Sequence, residues 1–202
     1  MENLWIDRYR FKNQPFEHQK KYLEQFWKRP VAALFADMGT GKSFMVINNL
    51  AMLYDVGKIN SALIIAPKGV YRNWVDEELP KHLPDHVVHR TALWTPNPRK
   101  AEREELENLW EVTEDLKILV MNVEALSTTK GFEYAKRFAM YTKCFMSIDE
   151  STTIKTPTAK RAKNVLKVGE QAIYRRIMTG SPVTRSPMDL YQQCAFLSEE
   201  CL

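Results

Sequence analysis

The alternation of short apolar runs with helix-like stretches predicts an α/β fold, a mostly parallel sheet with helices on both faces. Three observations carry that expectation. The runs at residues 31–36, 62–66, 118–122 and 144–148 are short and almost unbroken, as strands covered on both sides require. Each is followed by a stretch long enough for a crossover helix. The polar clusters with chemical character sit directly after such runs, where parallel sheets present their ligand sites.

Taken in order, Tyr9 and Phe11 alternate with charged residues and read as a short half-exposed strand. Pro15 stands about where a helix should begin, and residues 17–27 place Tyr22, Leu23, Phe26 and Trp27 on one core-facing stripe. The strand at 31–36 runs through a loop into a helix over 44–54. A polar turn with Gly57 leads to the strand 62–66, Pro67-Lys68-Gly69 ends it, and a helix over 70–79 follows. Residues 90–94 suggest a further strand, and Pro96 and Pro98 precede a charged helix over 99–110 with a solvated face. Strands at 118–122, 144–148 and 175–178 alternate with helices at 131–141, 159–168 and 187–197. No repeat or low-complexity segment interrupts this rhythm. A single lobe spanning 1–202 is the expected organisation.

A chain of 202 residues can bury a core unaided, and 45% hydrophobic with 27% charged residues matches an ordinary globular domain. The net charge of +4 permits a polyanionic partner without demanding one. Cys144, Cys194 and Cys201 are far apart without metal-ligand spacing, and Cys144 reads as a small core residue in a reducing compartment. The first residues lack the basic and apolar regions of a signal peptide, and no apolar run reaches the length of a membrane span. The expectation is an intracellular protein, cytoplasmic or in the nucleoid or nucleus, with no membrane partner.

The stretch Ala36-Asp37-Met38-Gly39-Thr40-Gly41-Lys42-Ser43 joins a strand to a helix, the context of a phosphate-binding loop. Ala36 stands where the usual expression has its first glycine. Gly39 and Gly41 allow close backbone approach, Lys42 supplies a cation for β- and γ-phosphates, and Ser43 a hydroxyl for Mg²⁺. Met38 and Thr40 complete the nucleotide-binding loop. Gln19, shortly before it, carries a side-chain amide that can donate and accept at once, matching the edge of adenine. Magnesium needs oxygen ligands, and Asp149 at the end of an apolar strand is placed to supply one. Glu150 beside it could orient and polarise an attacking water.

In order and spacing, Gln19, the loop 36–43, Ala66-Pro67-Lys68, Val120-Met121-Asn122, Asp149-Glu150-Ser151-Thr152 and Thr179-Gly180-Ser181-Pro182 resemble the N-terminal motor domain of helicase superfamily two. The finer resemblance is to its Swi/Snf-type translocase branch. It rests on the run from Ile65 to Asn73-Trp74, on the acidic box with its Ile154-Lys155-Thr156-Pro157 tail, and on Arg176 to Val183. The resemblance covers roughly residues 9–200. It implies a RecA-like P-loop NTPase fold, with ATP and Mg²⁺ as cofactors and nucleic acid, specifically double-stranded DNA, as partner. By the same resemblance, Gln19 would read adenine, Asp149 would hold Mg²⁺ through water, and Glu150 would be the catalytic base. Thr179 and Ser181 would couple nucleotide state to the track, while Pro67, Lys68, Asn122 and Lys155 would lie along a phosphate backbone. Tyr71 and Trp74 read as packing rather than base stacking.

Two departures matter. The His often fourth in the acidic box is Thr152 here. Such motors also use a C-terminal second helicase lobe whose arginines reach over the nucleotide, and nothing within 1–202 reads as that lobe. An arginine finger is worth roughly 10³–10⁵ in turnover, so these residues alone are expected to hydrolyse ATP very slowly. The alternatives are an RNA helicase, a restriction-type translocase subunit, or a standalone module that ATP switches without turnover.

Overall fold

β2 (Ser61–Ala66) is buried at every position, and its alternating side chains divide the interior into two cores. Ala62, Ile64 and Ala66 face one core, Leu63 and Ile65 the other, as the two-residue period of a strand dictates. The computed structural model describes residues 4–198, so Cys201 and the extreme N-terminal residues lie outside the described residues. Five more strands complete the sheet: β1 (Val31–Phe35), β3 (His89–Leu93), β4 (Leu116–Asn122), β5 (Cys144–Asp149) and β6 (Tyr174–Thr179). All pairings are parallel, in the order β1-β6-β5-β2-β4-β3. The expected fold is therefore found, with helices on both faces.

The first core takes α2 (Glu17–Phe26), α3 (Lys42–Asp55), and the helical segment made of α4 (Tyr71–Asn73) and α5 (Leu79–His82). The second takes α6 (Lys100–Asn108), α7 (Thr129–Tyr141), α8 (Lys160–Gly169) and α9 (Asp189–Leu197). A short helix, α1 (Leu4–Asp7), precedes α2. α3 is buried along its whole length from Phe44 to Leu53, which explains its nearly uninterrupted apolar composition. α6 buries only Leu106, the solvated helix its charge predicts.

Two expectations about local structure fail. Tyr9 and Phe11 do not form a strand. Their backbone amides make local bonds, Tyr9 to Ile6 and Phe11 to Tyr9, and their rings pack on the first core, with Phe11 stacked 6.1 Å from Phe44. The alternation there reflects a turn that folds aromatic groups inward. The helix expected over 70–79 is not one regular helix either: a π-turn, Trp74–Glu78, separates α4 from α5, and the segment runs through Pro80 to His82. Pro80 is at the start of α5, where its missing N–H is tolerated.

A buried cation ties these layers together. Arg176 of β6 is fully buried, and its guanidinium donates to the carbonyls of Phe26, Arg29, Pro30 and Arg175 and to Asn49 Oδ1. Its planar fork suits this fan of acceptors, and the Phe145 ring lies 5.4 Å away. Asn49 in turn donates to the Trp27 carbonyl at 2.9 Å. The C-terminal end of α2, the middle of α3 and β6 are thus joined at one point.

Candidate nucleotide site and nucleic-acid edge

The strand register brings the expected chemical residues to one edge of the sheet. Phe35 of β1 is level with Thr179 of β6, and Met178 of β6 with Asp149 of β5. The loop after β1, Thr179, and the acidic pair Asp149-Glu150 therefore stand side by side at the C-terminal ends of three adjacent strands. Parallel pairing with α/β connection makes this so: all strands end on the same side, and ligands gather there.

The loop is built from backbone geometry. Gly39 and Gly41 have φ of 80° and 79°, and Gly41 is the N-cap of α3 without a side-chain cap. The first-turn amides of α3 are consequently left for an anion. Lys42 Nζ donates to the carbonyls of Ala36 at 2.9 Å and Asp37 at 3.1 Å, which curls its ammonium across the loop. Thr40 Oγ1 donates to the Asp37 carbonyl at 2.8 Å, while the Met38 side chain is exposed. Ser43 is half-buried in the first turn of α3.

Gln19 has partners within the chain that the sequence did not announce. It is 4% exposed, its Nε2 donates to the Thr40 carbonyl at 3.0 Å, and its Oε1 accepts the Phe16 N–H at 2.9 Å. The second contact is the reach-back half of a capping box. The amide thus clamps the phosphate loop to the start of α2, and its remaining N–H and lone pair are what could meet a base. His18 Nε2 lies 2.9 Å from the same Thr40 carbonyl, a contact the sequence reading missed. The Phe16 ring stacks at 6.0 Å on the His18 ring.

Across the sheet edge, Glu150 has φ 48° and ψ 64°, the only non-glycine with positive φ among the described residues. Such left-handed backbone in a large residue costs energy and concentrates at functional sites. It coincides here with a contact from β6: Thr179 Oγ1 donates to Glu150 Oε2 at 2.9 Å, while the Ser181 N–H donates to Thr179 Oγ1 at 3.2 Å. Next along the chain, Ser151 Oγ donates to Gln193 Oε1 at 2.5 Å, anchoring the acidic box to α9.

Asp149 receives the Trp74 Nε1–H on Oδ2 at 3.0 Å. Burial pushes its carboxyl above the usual carboxylate range; the Trp74 hydrogen bond opposes this, the Glu150 charge adds to it, and the Lys42 charge opposes it. Trp74 packs as expected, at 2% exposure, but its contact with Asp149 was not foreseen. The donor set fits magnesium: one carboxylate and the Ser43 hydroxyl, both oxygen donors, are the small protein share that this ion takes when phosphates supply the rest.

The residues expected along a nucleic-acid backbone lie over the neighbouring strands. Ala66 of β2 is level with Asn122 of β4, so Pro67 and Asn122 are neighbours at the same edge, and Lys68 and Arg72 are exposed beside them. Asn122 Oδ1 accepts the Ala125 N–H at 2.8 Å as the cap of a 3₁₀ turn, which occupies that oxygen locally. Lys155 is drawn into another cluster: it donates to Thr184 Oγ1 and lies 3.5 Å from Asp189 Oδ2. Asp189 also accepts from the Thr184 and Arg185 amides and the Thr184 hydroxyl, and these hydrogen bonds hold its carboxyl well below the usual range. Ser181 is exposed on the loop between β6 and α9.

Comparison with known proteins gives one family and several relatives. A family profile described as "SNF2-related domain" matches residues 18–202. The chain is 26% identical over 208 residues to the human "DNA excision repair protein ERCC-6-like", covering 94% of this chain and 15% of that protein. It is 27% identical over 173 residues to the Arabidopsis thaliana "Probable ATP-dependent DNA helicase CHR12", covering 80% and 14%. Among solved structures, the "Sulfolobus solfataricus SWI2/SNF2 ATPase core in complex with dsDNA" superimposes with a TM-score of 0.71 at 23% identity, over 94% of this chain and 37% of that one. That likeness is one of fold. The chain spans about one seventh of the length of these curated relatives.

Proposed function

We propose, for a chain that belongs to the SNF2-related domain family, that it is the nucleotide-binding lobe of an ATP-dependent DNA translocase. One observation carries the reading. The glycine loop with Lys42, the Thr179 hydroxyl and the Asp149-Glu150 pair meet at the ends of β1, β6 and β5. The reaction is in-line attack of water on the γ-phosphate. Lys42 and the loop amides bind the triphosphate, and Gln19 sets the loop's shape while its remaining amide capacity reads adenine. Ser43 and, through water, Asp149 would hold magnesium, which would supply charge neutralisation of the phosphates. Glu150 orients the attacking water and accepts its proton.

Double-stranded DNA is the proposed track. Support comes from relatives named for DNA repair and as a DNA helicase, from a fold shared with an ATPase core solved on dsDNA, and from exposed Lys68 and Arg72 beside Pro67 and Asn122, which offer sequence-independent phosphate contacts. Since the relatives are several times longer, a second helicase lobe in the full-length protein is proposed to complete the ATP site.

The test uses the intact protein. Lys42→Ala should remove nucleotide binding. Glu150→Gln should keep it while turnover falls roughly 10²–10⁴-fold. Duplex DNA should stimulate wild-type turnover more than single-stranded DNA or RNA does. Wild-type binding and turnover in both variants would overturn the site; indifference to duplex DNA would overturn the track.

A further inference from the structure

Trp74 opens the π-turn, and the inserted residue of a π-turn re-aims the side chains around it. Tyr71, three residues earlier, is also buried, whereas Lys68 and Arg72 on the same turn face solvent at the sheet's ligand edge. The turn thus has a polar outer side and an aromatic inner one. Packing alone would be served by any large ring, since the first core around Trp74 is apolar. An indole N–H is different: once buried it needs an acceptor. The acceptor here is Asp149 Oδ2, at 3.0 Å and 75 residues away in sequence. Hydrogen bonds to an ionised carboxylate are the stronger and more directional kind.

We infer that Trp74 is a positioning residue for Asp149: its Nε1–H fixes the rotation of the carboxylate that holds magnesium and ties that carboxylate to the Pro67–Trp74 turn. This rests on the reading of Asp149 given above. It assigns the turn a second duty. The exposed side offers Lys68 and Arg72 to a polyanion, and the buried side reaches the metal carboxylate, so a shift of the turn is felt at Asp149 through a single hydrogen bond.

Magnesium dependence separates positioning from mere packing. In the intact protein, affinity for a fluorescent ADP analogue is measured with excess Mg²⁺ and with EDTA, and the ratio gives the gain due to the metal. Asp149→Asn should abolish the gain. Trp74→Phe, which keeps a ring but lacks the donor, should reduce it roughly tenfold, as loss of a charge-assisted hydrogen bond implies. Its affinity in EDTA should be unchanged. If Asp149→Asn loses the gain and folded Trp74→Phe keeps it, the inference is overturned alone; if Asp149→Asn keeps the gain, the reading of Asp149 falls with it.

Should Trp74→Phe fail to fold, protein labelled with ¹⁵N-indole tryptophan carries the same test. In the 202-residue chain, Phe substitutions at Trp5, Trp27, Trp94 and Trp110 leave one indole resonance, that of Trp74. That resonance should move when Mg²⁺ is added to the nucleotide complex. A resonance indifferent to the metal overturns the inference.

Discussion

Thr179 Oγ1 donates to Glu150 Oε2 at 2.9 Å, joining the end of β6 to the residue after β5 that carries the left-handed backbone. Thr179 is fully buried, and its oxygen also accepts the Ser181 N–H. The hydroxyl therefore sits between the proposed base and the loop that leads to α9. Thr179→Val keeps the shape and removes both bonds. Loss of a hydrogen bond to a charged group is worth about 1.5–3 kcal/mol, so turnover should fall at least tenfold. KM for ATP should stay near the wild-type value, because the interaction matters to the water and not to phosphate binding. A variant with raised KM and unchanged kcat would place Thr179 in binding instead.

The two loop glycines should respond differently to alanine. Both have left-handed φ, so each substitution carries a backbone cost of about 1–2 kcal/mol. A Cβ at Gly39 meets open space, whereas one at Gly41 runs into Gln19 Nε2. Gly41→Ala must therefore push Gln19 off the Thr40 carbonyl as well. In nucleotide-free protein, its denaturant midpoint should drop further than that of Gly39→Ala. Equal drops would show that the Gln19 clamp does not hold the loop.

Asp149 should make the metal-free protein less stable as pH rises. Burial raises its folded pKa above the unfolded value, so the folded state binds the proton more tightly. Its favourable contribution is complete below the ordinary carboxylate pKa and is lost as pH climbs through the raised folded value. Asp149→Asn removes the titrating group. Without magnesium, the variant's melting temperature should exceed the wild type's at neutral pH, and the gap should narrow in mildly acidic buffer. A gap constant with pH would exclude desolvation of Asp149 as its source.

The strand-helix alternation was readable because buried parallel strands are written as unbroken apolar runs, and 62–66 or 144–148 can be little else. The placement of the loop at Gly39–Ser43 and of the acidic pair at strand ends was equally readable, since it follows from local order. Contacts between distant side chains were not. Nothing around Trp74 announces Asp149 as its acceptor, because the π-turn that turns the indole inward leaves no period in the sequence. Gln19 was recognised for its amide, yet its clamp on Thr40 needs the end of α2 brought beside the loop, which only the folded sheet provides. Tyr9 and Phe11 misled for the converse reason: two aromatics two apart fit a strand and a turn equally well.

Arg176 sits three residues before Thr179 on the same strand, and it offers the sharpest test of what holds the site's scaffold. Its guanidinium satisfies four carbonyls and Asn49 Oδ1 in the interior, with burial lowering its pKa. Arg176→Met preserves much of the volume but takes the guanidinium donors from the Arg29 carbonyl and Asn49 Oδ1, while the Phe26 and Pro30 carbonyls keep the Arg29 and Arg175 N–H groups. Each unsatisfied buried group costs about 1–3 kcal/mol, so the loss should exceed about 2 kcal/mol even after local relaxation. Arg176→Lys supplies three donors for five acceptors and should recover only part of it. Denaturant unfolding of the two variants should rank them wild type, Lys, Met. Because Phe26 ends the helix that carries Gln19 and Arg29 and Pro30 follow it, the Lys variant should also release the α2 end, visible as faster amide exchange there than in α7. Uniform exchange across both helices would make Arg176 a general core residue rather than the tie between α2 and β6.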